Sequence, residues 1–87
     1  MLVLMRIDFK FQESLSPDGR KLVIEQVRKL GAEKVEAMFP EEKDAELASL
    51  YKVEGIPKEQ LSDVAMTINE FAGVEYAEVT PEMRMIH

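Results

Sequence analysis

The sequence predicts an α+β sandwich, one sheet layered with two helices, from three observations. Residues 2–11 alternate, with Val3, Met5, Ile7, Phe9 and Phe11 on one side and Leu2, Leu4, Arg6, Asp8 and Lys10 on the other. That is the period of a strand with one buried face. Leu61, Val64, Ala65, Ile68, Phe71 and Ala72 recur at helical spacing and end at Gly73, where a left-handed turn is cheap for glycine. The residues that follow at once, Val74 to Val79, read as a strand, so one helix feeds directly into the sheet.

The elements follow in order. After the strand 2–11, Gln12 to Gly19 is a loop in which Ser16 is an N-cap candidate and Pro17 suits a first helical turn. A first helix is expected over 20–30. Val23, Ile24, Val27 and Leu30 would be its buried stripe, and Arg20, Lys21, Glu25, Arg28 and Lys29 its solvated face. Gly31 is its stop. A second strand is expected over 32–39, with Val35, Ala37 and Phe39 opposed to Lys34, Glu36 and Met38. Pro40 to Asp44 is a charged turn. Residues 45–54 are expected as a third strand, with Leu47, Ser49, Tyr51 and Val53 on one face and Ala48, Leu50 and Lys52 on the other. The second helix begins at Pro57, and the last strand, 74–79, is closed by Thr80 and Pro81.

The order strand, helix, strand, strand, helix, strand, with right-handed crossovers, gives a ferredoxin-like βαββαβ sandwich: a four-stranded antiparallel sheet with two helices on one face. At 87 residues this is a single domain, 1–87, with a short C-terminal tail at 82–87.

Composition narrows the function classes. Apolar residues make up 46% and charged residues 32%, which is a folding composition. A net charge of −6 argues against a nucleic-acid binder, which needs a cationic face for phosphates. No cysteine is present, so disulfide and thiol chemistry are absent. The apolar N-terminus is interrupted by Arg6 and Asp8 and is too short for a signal peptide, and no apolar run approaches a membrane span. A cytoplasmic protein without membrane partners is expected. High charge, no cysteine and a single asparagine, Asn69, point to a thermophilic source.

Residues with potential chemistry do not assemble into a catalytic set. His87 is the only histidine and stands at the end of the chain, far in sequence from Ser14, Ser16, Ser49 and Ser62. Glu41, Glu42, Asp44 and Glu46 lack the glycine-bearing spacing of a calcium loop. Ser16-Pro17-Asp18-Gly19 lacks the ending of a phosphate-binding loop. Neither an enzyme nor a metal or cofactor site is expected. The side of the sheet away from the helices is the expected binding surface. Leu2, Leu4, Met38 and Leu50 fall there, joined by Ala77 and Val79 if Val74 and Tyr76 point inward. Such a patch would mark a partner surface, either a second copy packed sheet on sheet or a dedicated protein.

Leu30-Gly31-Ala32, Lys34-Val35, Lys58-Glu59-Gln60-Leu61 and Gly73-Val74-Glu75-Tyr76-Ala77-Glu78-Val79 resemble the propeptide-like inhibitor family of subtilisin-type serine proteases. The resemblance implies the same sandwich, no catalytic activity of its own, and a subtilisin-like serine protease as partner. It implies that the open sheet face packs on two protease helices, with Glu78 among the acids that cap them. The tail after Val79 would enter the protease cleft as an extended strand. Met83, Arg84, Met85, Ile86 and His87 would be its substrate-like residues, with His87 nearest the catalytic serine. Small-molecule sensor modules of the ACT type share the element order and work as homo-oligomers, which leaves a homo-oligomeric regulatory module as the alternative. The ending of the chain is also similar to the nucleotide-exchange domain of archaeal elongation factor one-beta.

Overall fold

A computed structural model describes residues 4–82. Its element order is β1 (Leu4–Phe11), α1 (Pro17–Lys29), β2 (Lys34–Ala37), α2 (Ala45–Ala48), β3 (Leu50–Glu54), α3 (Leu61–Asn69) and β4 (Val74–Glu82). The four strands form one antiparallel sheet in the order β2-β3-β1-β4. The expected ferredoxin-like sandwich is therefore the observed one.

Register decides what faces the helices. Ile7 lies opposite Val53 on one side and Val79 on the other, and Phe9 lies opposite Tyr51 and Ala77. Directly opposed residues share a face, so these side chains form the floor of the core. Val23 and Val27 of α1 and Leu61, Val64, Ala65 and Ile68 of α3 close over it. Ile7, Phe9, Phe11, Val27, Val53 and Ile68 are fully buried. The rings interlock: Phe9 meets Phe11 edge-on at 5.1 Å and stacks on Tyr51 at 5.7 Å.

Several boundaries differ from expectation for local reasons. Helix α1 starts three residues early because Ser16 Oγ accepts the Gly19 N–H at 3.1 Å and Pro17 occupies the first turn. Strand β2 is only four residues long, and Phe39 lies beyond it, exposed. Residues 45–48 are helical, not extended. Asp44 caps them, its Oδ1 accepting the N–H groups of Glu46 and Leu47 at 2.9 and 3.4 Å. Ala-Glu-Leu-Ala also favours a helix. The second long helix begins as a 3₁₀ turn at Lys58–Gln60 and ends at Asn69, leaving Phe71 half-buried in the turn and Ala72 exposed.

The turn into β4 uses Gly73 at φ +89°, where a Cβ would lie 2.6 Å from Leu15 Cδ2. Leu15 in the β1–α1 loop fills that space, so the two loops lock together through a missing side chain. Strand β4 then runs past its expected end. Thr80, Pro81 and Glu82 stay in register with Arg6, Met5 and Leu4. Pro81 is tolerated because β4 is an edge strand.

Candidate protein-binding face

The face of the sheet away from the helices is built from even-numbered residues of β1, β2 and β3 and from Tyr76, Glu78 and Thr80 of β4. A β-bulge sets the phase of β4. Lys10 pairs with Tyr76 but Phe11 pairs with Val74, so Glu75 is the inserted residue. Val74 and Tyr76 therefore point to opposite faces. Val74 is buried in the core, and Tyr76 lies 39% exposed on the open side. Ala77 and Val79 consequently sit on the helix side, opposite Phe9 and Ile7, and do not join the open face where the sequence pattern had assigned them.

The expected apolar patch is accordingly interrupted. Leu50 is half-buried opposite Lys10, with Met38 beside it, its N–H on the Leu50 carbonyl at 3.0 Å. Leu4 pairs with Glu82 at the far end of β1, six residues and roughly 20 Å away. Charged residues lie between. Arg6 Nε donates to Asp8 Oδ1 at 2.8 Å. Lys52 lies 3.4 Å from Glu36 and 3.8 Å from Glu54. The Lys10 ammonium is hydrogen-bonded to Glu75 and lies 3.9 Å from Glu13. Asp8 and Lys10 are 8% and 7% exposed on a face that no layer covers, so the ion pairs and flanking side chains pack over the central strand.

The titration of two groups reflects this packing. The Glu75 hydrogen bond holds the Lys10 ammonium above the usual lysine range, against a smaller opposing effect of burial. Burial, followed by the Glu78 carboxylate, raises the Tyr76 phenol. Glu78 lies directly opposite Asp8, a like-charge juxtaposition that costs stability. Arg6 neutralises Asp8, while among the described residues no cation lies within ion-pair distance of Glu78. Among the described residues, Glu78 thus stands without an ion-pair partner on an open, ion-paired surface.

Of the residues expected to bind a partner, Leu50 and Glu78 share this face, Met38 lies at its corner beyond β2, and the backbone of Leu4 enters it at the opposite end. Val79 is turned to the other side. Leu2, Met83, Arg84, Met85, Ile86 and His87 lie outside the described residues. The tail does not start at Val79 or at Glu82, since β4 holds the chain in the sheet through Glu82.

Two polar residues matter more than the sequence indicated. Arg20, read as part of a solvated face, lies over the Phe11 ring at 5.3 Å. It donates to the carbonyls of Leu15 and Glu13 and to Ser49 Oγ. Ser49 is fully buried and donates to the Ala45 carbonyl at 2.7 Å. A cleft of about 460 Å³ is lined by Leu15, Pro17, Arg20, Lys21, Ile24 and Tyr51. None of the helices among the described residues is long and apolar enough to cross a membrane.

No protein-family model matches the chain, and no curated protein matches it. The class that fold and site define is an α+β sandwich with an open, charged sheet face.

Proposed function

We propose that this chain is a protein-binding module that docks the open face of its sheet on a folded partner, in the manner of free-standing subtilisin-propeptide-like protease inhibitors or folding assistants. The observation that carries the reading is Glu78. It projects from the open face opposite Asp8 and lacks an internal cation among the described residues. A carboxylate left in this state is stabilised by the positive end of a partner helix or by a partner's basic side chain. The ion pairs around it make a mixed-charge surface suited to specificity and orientation. Strand β4 ends at Glu82, opposite Leu4 of β1, and Met83 to His87 are the residues that the resemblance assigns to a partner's cleft.

The test is inhibition of a panel of subtilisin-like proteases by the full chain, by Glu78→Gln and by a chain ending at Glu82. Inhibition by the full chain, weakened by both changes, is expected. Absence of inhibition at micromolar concentration, or equal inhibition by all three, overturns the reading.

A further inference from the structure

The two edges of the sheet are treated differently. On β4, Asn69 at the end of α3 makes a pair of reciprocal hydrogen bonds with the Ala77 backbone. The Ala77 N–H donates to Asn69 Oδ1 at 2.9 Å, and Asn69 Nδ2 donates to the Ala77 carbonyl at 2.9 Å. The carboxamide thus occupies the outward backbone groups that an added strand would use. Pro81, on the same outward phase, has no N–H to offer. Val79 is left alone between two blocked positions, and the edge resists strand addition.

Strand β2 has no such guard among the described residues. The Met38 N–H donates to the Leu50 carbonyl, which puts the even-numbered residues of β2 in hydrogen-bonded pairs with β3. The odd-numbered residues Val35 and Ala37 therefore turn their N–H and C=O groups outward. Among the described residues nothing pairs with them. Lys34 is exposed and has no carboxylate within ion-pair distance among the described residues, while Glu36 is exposed beside Lys52.

We propose that β2 pairs antiparallel with β2 of a second copy of this chain, about a two-fold axis at Val35, joining two sheets into one of eight strands. Charge selects the register. With Val35 against the second copy's Val35, each Lys34 falls opposite a Glu36, at the close, non-hydrogen-bonded positions where cross-strand side chains interact most. Moving the axis to Glu36 sets two carboxylates against each other, which disfavours that register. The chosen register also carries Phe39, 44% exposed just beyond β2, toward the second copy's Gly31, around whose Cβ position there is open space. The pairing leaves the open face free, so it stands or falls separately from the protease reading.

Sedimentation equilibrium on the full chain tests it. A concentration-dependent dimer is expected. Lys34→Glu and Glu36→Lys should each weaken it by about tenfold or more through like-charge contacts. The double swap should restore it, because the pairs reform with reversed sign. Both residues are exposed, and circular dichroism checks that each variant keeps its fold. A monomer at all accessible concentrations, a dimer indifferent to either single reversal, or a double variant that stays weak overturns the proposal.

Discussion

On one side of β1, Ile7, Phe9 and Phe11 have no contact with water. On the other, one residue away in each case, Arg6, Asp8 and Lys10 lie in a network of ion pairs that no helix covers. Both sides are close-packed, but different forces hold them. The helix side gains from apolar area removed from water and from ring contacts. The open side gains little from its ion pairs, because paired charges recover mainly what their own desolvation costs. Stability is therefore concentrated on the helix side, and substitutions on the open side should cost less.

Substitutions on the two sides should separate these roles. Phe9→Ala removes a fully buried ring that touches Phe11 and Tyr51, and should cost about 3–5 kcal/mol in urea unfolding. A loss under about 1 kcal/mol would mean that the core does not rest on this face. An intermediate effect is expected in alkali. Lys10 and Tyr76 both bind their protons more tightly when folded. Their contribution is complete below their unfolded pKa values, near 10, and is lost as pH rises through the higher folded values. Thermal melts above pH ~10 should therefore fall less steeply for a Lys10→Met, Tyr76→Phe double variant than for the parent. The smallest effect belongs to Lys52→Ala, which breaks the contacts with Glu36 and Glu54. It should change stability by about 0.2–1 kcal/mol and do so less in high salt.

Strands β1 and β4 show what could be read in advance. The apolar period of β1 was legible because eight residues alternate without interruption and one face is fully buried. The phase of β4 was not, because the inserted Glu75 shifts it by one residue and a bulge leaves no mark on a hydropathy pattern. That single shift moved Ala77 and Val79 to the helix side and dissolved the expected apolar patch. The short helix at 45–48 escapes the sequence pattern for another reason. Its Asp44 cap is a visible signal, but a four-residue helix is too short to display its own period. Glu78 was singled out by the resemblance, whereas its position opposite Asp8 emerged only from the register. The guarding role of Asn69 had no local signal, since its partner lies eight residues away on the next strand.

By itself the sequence determined the layers: which segments alternate, which carry a helical stripe, and where Gly31, Gly73, Ser16 and Pro17 bound them. These are local properties, set by side-chain period and by backbone preferences within a few residues. Tertiary structure alone decided which strands became edges, how β4 is phased against β1, and which charges found partners. Those outcomes depend on hydrogen bonds and side-chain pairs between residues far apart in the chain, such as Lys10 with Glu75, and no local pattern encodes them.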